Sequence, residues 1–455
     1  MEKVTAKEKY SYGIGAFGKD MVYAVVATYL MIFFTDEVGI SSVFVGSLFF
    51  FSRFWDAVND PIMGLIVDNT KTKWGKFRPW ILIGTIINAV VLVFLFLNPA
   101  NFLEGQMVYV YCAVAYILWG MTYTIMDIPY WSMVPSFTSD PAERDKIAVI
   151  PRIFATLGGS SVNTFGLMLI GILGVTSKSQ GYFRLGLIVA IIFVISTLIT
   201  VLNVKEKNVV ENNEKIKLSD ITTILGKNDQ LLVIIVSVII FQVAQFLYSG
   251  FLVYFFTYAI EDLNLYATFV AIGTVTQVAA LMLFPKASKI VGRKHIYTIA
   301  CVLTVVGFGG MFIVSGMGSA ILLCVAGISY NLGVGFLNAA TTVMISNAVD
   351  YGEHKLGKRS ESIIFSAQTF IVKFSTAFSG LIIGFGLSII KYVPNATQSA
   401  STIFGMKIIM FLLPAILMAI CAIVYNKYYK LHGKFYSNVM KSLEGKRKLN
   451  NSNAI

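Results

Sequence analysis

The sequence predicts an all-α polytopic membrane protein, with twelve transmembrane helices arranged as two six-helix bundles, and three observations carry that prediction. Over the 455 residues 56% are hydrophobic, only 13% are charged, and the mean hydropathy is +0.74. A soluble domain averages about 25% charged residues, so this chain cannot cover its surface with polar side chains and takes the bilayer as its solvent. Apolar stretches of spanning length recur through the whole chain, and one long hydrophilic segment, Val204 to Asn228, divides them six and six.

The apolar segments fall at roughly 12–35, 42–67, 79–98, 106–135, 148–173, 183–203, 231–259, 267–285, 296–315, 319–349, 361–390 and 404–427. Met1 to Tyr10 holds no apolar core followed by a small-residue cleavage site, so no removable signal peptide is expected. The connections alternate in charge. Lys71-Thr-Lys73-Trp-Gly-Lys76-Phe-Arg78, Arg144-Asp-Lys146, Lys205 to Lys227, Lys286 to Lys294 and Lys355 to Arg359 are every second connection, while the others carry little beyond Lys178, Arg184 and Lys391. By the positive-inside rule both termini are cytoplasmic, as an even number of spans requires. The net charge of +12 therefore reports topology, and no nucleic-acid partner is expected because the basic residues gather on no single face or arm.

The expected organisation is an N-terminal bundle at 1–203, a cytoplasmic middle loop at 204–228 and a C-terminal bundle with a basic tail at 229–455. A faint internal echo supports it. Gly64-Leu-Ile-Val-Asp68 leads into a basic turn after the second helix, and Pro285 to Lys294 is expected to form a basic turn after the eighth. Two six-helix halves joined by a cytoplasmic linker are the pattern of the major facilitator fold, in which substrate binds near the midplane.

Two readings are set aside. Gly13-Ile-Gly15-Ala-Phe-Gly18 matches a dinucleotide fingerprint in letters, but its flanks are a charged tail and a membrane helix rather than a βαβ unit, so close helix packing explains it better. Cys112, Cys301, Cys324 and Cys421 lie within apolar runs at spacings that fit neither a metal knuckle nor a disulfide framework. No cofactor is expected.

The chemistry is carried by charges at membrane depth. On the second helix Asp56, Asn59 and Asp60 stand at i, i+3 and i+4, so their oxygens can converge as hard-cation ligands. The structural alternative is a pair between Asp56 and Arg53, three residues earlier. On the first helix Lys19 and Asp20 are adjacent, hence about 100° apart, and are expected to reach different partners. On the fourth, Thr124, Asp127 and Trp131 share a face beside Tyr123. A carboxylate that accepts from paired hydroxyls and a ring that covers an apolar C–H face are the tools of sugar binding. Arg152 follows Pro151 near the expected start of the fifth helix, where snorkelling explains it as well as binding does. Lys373, in Gln368-Thr369-Phe-Ile-Val-Lys373, is a charge deep in an apolar helix of the second half. Asp20, Asp56, Asp60 and Asp127 oppose Lys19, Arg53, Arg152 and Lys373. Facing lipid at about 2.5–3.5 kcal/mol each, they would cost roughly 20–28 kcal/mol, beyond the roughly 5–15 of a whole fold. They must face inward and compensate one another.

Nearly end to end, the chain resembles the glycoside–pentoside–hexuronide cation symporters, and within them the melibiose carriers. The resemblance runs from Tyr10-Ser-Tyr-Gly-Ile-Gly-Ala-Phe-Gly-Lys19-Asp20 through Arg53 to Gly64, Lys73 to Trp80 and Ile117 to Pro135, and on to Asp350-Tyr-Gly-Glu353, Gln368 to Lys373 and Tyr392 to Ala400. It implies uptake of a galactoside such as melibiose coupled to Na+, Li+ or H+ across the cytoplasmic membrane. It places the cation on Asp56, Asn59, Asp60 and Thr124, and the sugar on Lys19, Asp20, Tyr123, Asp127, Trp131, Arg152, Thr369 and Lys373. Two positions depart from it: Ala27 and Asn338 stand where the melibiose carriers present a tyrosine and a tryptophan to the sugar. A sister substrate, another glycoside, a pentoside or a hexuronide, is the alternative. The expected partners are then a small sugar, a monovalent cation and membrane lipid; nothing in the sequence names a regulatory partner. An intramembrane aspartyl enzyme would need its carboxylates on facing helices, whereas Asp56 and Asp60 lie one turn apart on one helix.

Overall fold

Each apolar segment becomes one helix in the computed structural model, which describes residues 4–133, 141–206, 227–356 and 361–452. In chain order these are α1 (Ala6–Ile32, continued by a π turn at Phe33–Glu37), α2 (Ser42–Asp68), α3 (Arg78–Leu95), α4 (Gln106–Ser132), α5 (Pro141–Leu173) and α6 (Lys178–Asn203). There follow α7 (Asp229–Phe255, with a π turn at Phe256–Ile260), α8 (Leu263–Val291), α9 (Arg293–Val314), α10 (Ala320–Leu356), α11 (Glu361–Ile389) and α12 (Ala400–Tyr428), then a terminal α13 (Gly433–Ser452). The described residues hold no strand. Among the described residues eleven helices are long and apolar enough to cross a membrane, by length and composition. The twelfth, α2, is apolar over Ser42–Arg53 and then carries its carboxylates; at 27 residues, about 40 Å, it has the length to span.

Several helices outrun the apolar stretch that predicts them, α1 by means of a polar cap. α1 begins at Ala6 instead of near residue 12: Thr5 Oγ1 accepts from the Glu8 amide at 3.2 Å while Glu8 Oε2 accepts from the Thr5 amide at 2.8 Å, a reciprocal capping box. α5 begins at Pro141 rather than 148, which takes Arg144 and Lys146 into the helix. The turn expected over Pro285 to Lys294 contracts to Gly292, at φ +88°, because α8 tolerates Pro285 and runs on to Val291. The middle loop 204–228 lies outside the described residues except for its ends.

The chain divides into two compact units. The first holds Met1–Asn213 with Val253–Val270 and Gly380–Ser399; the second holds Glu214–Leu252, Ala271–Ser379 and Ala400–Ile455. In the first unit the glycines of α1 are packing glycines, as expected. A Cβ on Gly18 would sit 3.0 Å from the Phe193 Cα of α6, and one on Gly158 of α5 would sit 2.9 Å from the Phe17 carbonyl carbon. The two later segments join this unit through Asp36, at the end of α1. Tyr392 donates to Asp36 Oδ2 at 2.7 Å, Tyr258 donates to the same oxygen, and the Asn395 amide donates to the Asp36 carbonyl. In the second unit α7 and α10 are tied by Asn228 donating to the Ala348 carbonyl at 3.1 Å and by the Asp229–Lys355 pair.

Candidate functional site

Two polar clusters meet on α4. Its placement is set by α3, where the fully buried Asn88 donates to the Trp119 carbonyl at 2.9 Å and to Thr122 Oγ1 at 2.8 Å. On α1, Tyr12 stacks on Tyr130 with ring centroids 4.5 Å apart and donates to the Tyr130 carbonyl at 2.6 Å, while Tyr130 donates back to the Tyr12 carbonyl. These reciprocal contacts fix the rotation of α1 against α4 and aim the side chains that follow.

The first cluster surrounds Lys19, which is 4% exposed. Its ammonium lies 2.7 Å from Asp127 and 3.2 Å from Asp20, donates to the Tyr123 hydroxyl at 3.3 Å, and sits over the rings of Trp131 at 5.0 Å, Tyr123 at 5.6 Å and Tyr130 at 5.8 Å. The expectation that Lys19 and Asp20 reach different partners is corrected. The long lysine side chain spans the angular gap, so both contribute to one site. The two carboxylates keep 28% and 30% of their side-chain surface exposed, and Trp131 is half-buried beside them. Chemically this is a pair of hydrogen-bond acceptors held in place by a buried cation, next to an aromatic face.

The second cluster lies between α2 and α4. Arg53 Nη1 donates to Asp56 Oδ2 at 3.0 Å, so the intrahelical pair weighed from the sequence forms. Thr124 Oγ1 donates to Asp60 Oδ1 at 3.2 Å. Thr124 therefore turns to α2, while Tyr123, Asp127 and Trp131, spaced by four residues, turn to Lys19. Asn59 is half-buried, and its side-chain nitrogen has no hydrogen-bond partner among the described residues. Gly120 admits the carboxylate of Asp56, which would lie 3.3 Å from a Cβ at that position. A small pocket lined by Arg53, Asp56, Tyr116 and Trp119 opens there. Among the described residues no three acidic, His or Cys side chains gather as a multivalent metal centre. Carboxylate, amide and hydroxyl oxygens are the donor types that hard cations take.

An aromatic run joins the clusters, and of its members only Tyr123 was singled out from the sequence. Tyr116 stacks on Trp119 at 5.9 Å, and Trp119 meets Tyr123 at 5.5 Å. The i, i+3, i+7 spacing of 116, 119 and 123 was there to be read, but in so apolar a helix it looks like core. Arg152 is exposed on α5, and no contact ties it to either cluster among the described residues. Lys373 is half-buried on α11 in the second unit, where it has an interaction partner; Thr369 is on the same helix, with its side chain outside the described residues. Ala27 is exposed on α1, and Asn338 is half-buried on α10.

Comparison with known proteins adds what geometry cannot. A family model described as MFS/sugar transport protein matches residues 11–432. An isoprimeverose transporter of Lactiplantibacillus pentosus is 34% identical, over 87% of this chain and 83% of its own length. An uncharacterized symporter, YjmB, of Bacillus subtilis is 31% identical, over 98% and 96%. Among solved structures, a D-xylose-proton symporter superposes with a TM-score of 0.66, covering 93% of this chain and 98% of its own, at 12% identity, a likeness of fold alone. These proteins are membrane transporters and not enzymes, and the aspartyl-enzyme alternative is discarded with them.

Proposed function

From the premise that the chain belongs to the MFS/sugar transport protein family, as one of its glycoside–pentoside–hexuronide cation symporters, we propose that it takes up a galactoside such as melibiose together with Na+, or with Li+ or H+, by alternating access. The observation that carries this reading is the double engagement of α4: Thr124 with Asp60 on one side, Asp127 with Lys19 on the other, bridged by the Tyr116, Trp119 and Tyr123 rings. A cation bound by Asp56, Asn59, Asp60 and Thr124 must draw Asp60 and Thr124 together. It thereby acts on the helix that carries Tyr123, Asp127 and Trp131. Differential binding of the cation to the sugar-competent arrangement is what coupling requires.

The sugar set is then Lys19, Asp20, Tyr123, Asp127, Trp131, Arg152, Thr369 and Lys373, with the exposed edges of Asp20 and Asp127 accepting from neighbouring hydroxyls. A second reading, another glycoside or a pentoside, is favoured by the missing rings at Ala27 and Asn338 and by the isoprimeverose transporter among the relatives. In this proposal the carrier is a multi-pass protein of the cytoplasmic membrane with both termini inside. Counterflow in proteoliposomes tests it, with melibiose, isoprimeverose, a pentoside and a hexuronide each assayed with and without Na+ and Li+ and across a pH step. The expected result is exchange of one glycoside class, stimulated by one cation. No exchange of any sugar under any cation would refute the reading.

A further inference from the structure

The turn between α2 and α3 is built more tightly than a simple connection needs. Thr72 Oγ1 donates to the Gly75 carbonyl at 2.7 Å and accepts from the Trp74 amide at 3.2 Å, and Trp80 Nε1 donates to Thr70 Oγ1 at 2.7 Å. Glu206, three residues past the end of α6, receives the amides of Lys76, Phe77 and Arg78 at 2.7, 2.9 and 3.0 Å and so caps α3. Arg78 is engaged as well, its Nε donating to the Val201 carbonyl at 2.8 Å. Glu206 and Arg78 are thus both engaged by backbone groups of the turn and of α6, and Lys71 and Lys73 are exposed on the turn, Lys71 with an interaction partner of its own.

Beside this turn lies a groove of about 370 Å³ lined by Thr72, Lys73, Trp74, Pro79, Leu82 and Ile83. Its rim is polar and basic, and its floor is apolar. Trp74 is 60% exposed at the rim, where an indole suits the boundary between headgroups and hydrocarbon. Leu82 and Ile83 lie four and five residues into α3, about 6–8 Å below Arg78 along the helix axis. From Ile83 the apolar surface continues as a stripe of exposed side chains at Ile87, Val90 and Phe94, spaced by four, three and four residues on one face of a membrane span.

We propose that this groove is a binding site for an anionic glycerophospholipid, with the headgroup phosphate on Lys71 and Lys73, the glycerol region against Trp74, and an acyl chain laid along Leu82, Ile83 and the stripe below. The occupant follows from charge and depth together. Only a molecule with an anion at the rim and hydrocarbon below it uses both halves of the groove, and the bilayer supplies that molecule. A free phosphate would satisfy the lysines and leave the apolar floor unused.

Tryptophan quenching by brominated lipid tests the proposal on the full chain. The chain holds five tryptophans, so the contribution of Trp74 is isolated as the difference between wild type and Trp74→Phe. In phosphatidylcholine vesicles titrated with brominated phosphatidylglycerol, that difference saturates at a low fraction of the anionic lipid. Lys71→Ala and Lys73→Ala each shift the midpoint by roughly five-fold, the effect of one basic residue near an anionic headgroup. Native mass spectrometry of the unmodified chain, which needs no variant to fold, retains phosphatidylglycerol in preference to phosphatidylcholine. Quenching that rises in proportion to bulk composition overturns the site, as does equal quenching by brominated phosphatidylcholine. Displacement of the signal by inorganic phosphate would assign the lysines to a free anion, and also overturns it.

Discussion

Replacing Lys19 by Met tests the sugar-side cluster most directly, because that ammonium is the single cation held between Asp20 and Asp127. The substitution keeps the stem and removes the charge. Breaking a buried ion pair by deleting one partner costs about 3–5 kcal/mol, mainly through the charge left behind. The low end applies here, since the two carboxylates are 28% and 30% exposed and water can screen part of the loss. Lost contacts with the Trp131, Tyr123 and Tyr130 rings add about 0.5–1 kcal/mol. A total near 3–4 kcal/mol means a folded population reduced by two to three powers of ten relative to unfolded. The assay is equilibrium unfolding of purified protein in one detergent, with Lys19→Met, Asp127→Asn and the double variant forming a cycle. The double variant should be more stable than Lys19→Met alone, because it removes one of the two stranded carboxylates, while sugar binding is weakened in all three. If Lys19→Met unfolds like wild type, or if Asp127→Asn adds to its cost instead of relieving it, the ion pairs do not hold this cluster.

Three further outcomes follow from named contacts. Asp60→Asn removes the carboxylate that Thr124 meets at 3.2 Å, and under the proposed function it abolishes cation stimulation and uphill uptake while leaving sugar exchange intact; titration calorimetry of each ligand, paired with uptake in energised vesicles, checks both halves. Glu206→Ala strips the cap from three amides of α3 and should lower stability by about 1–2 kcal/mol, and Gly75→Ala should do the same, since its Cβ would lie 2.5 Å from the Glu206 carboxyl carbon; thermal melts that match wild type for both would show that the cap contributes nothing. Asn338→Trp should tighten melibiose binding by about 0.5–1.5 kcal/mol if that position faces the sugar, and unchanged or weaker affinity in a binding titration would place the sugar's wall elsewhere.

The helices were legible because lipid imposes length and apolarity on each of them, and those properties survive in any sequence that spans. Their ends were less legible, since polar residues make them: the Thr5 and Glu8 capping box lies in a stretch too hydrophilic to register as span, and Pro285 ends nothing because α8 continues past it. In the candidate site the residues that stood out were charges, for which burial always demands a reason. Asn88, Tyr12, Tyr116 and Trp119 did not stand out, although the structure uses them to set and bridge the clusters. Neutral side chains in an apolar helix look alike until their partners are known. Helical spacing alone groups Thr124 with Asp127 and Trp131, whereas the family resemblance sets it beside Asp60, and the approach of α2 brings Thr124 to Asp60.

The charges of the two clusters bear on coupling in a way no single contact does. Among these six side chains two cations, Lys19 and Arg53, stand with four carboxylates, Asp20, Asp56, Asp60 and Asp127, a deficit of two positive charges when all four are ionised. Lys19 lies between Asp20 and Asp127, Arg53 pairs with Asp56, and Asp60 accepts from the Thr124 hydroxyl. A neutral glycoside cannot reduce that deficit, however many hydroxyls it donates. Under the proposed function a monovalent cation at Asp60 reduces it. Under the proposed function the cation then has an electrostatic reason to bind that the sugar does not share, and the α4 rings carry the position of Thr124 to the sugar side. In that proposal both ligands act on α4, and they are linked to the extent that each binds one arrangement of that helix better than the other.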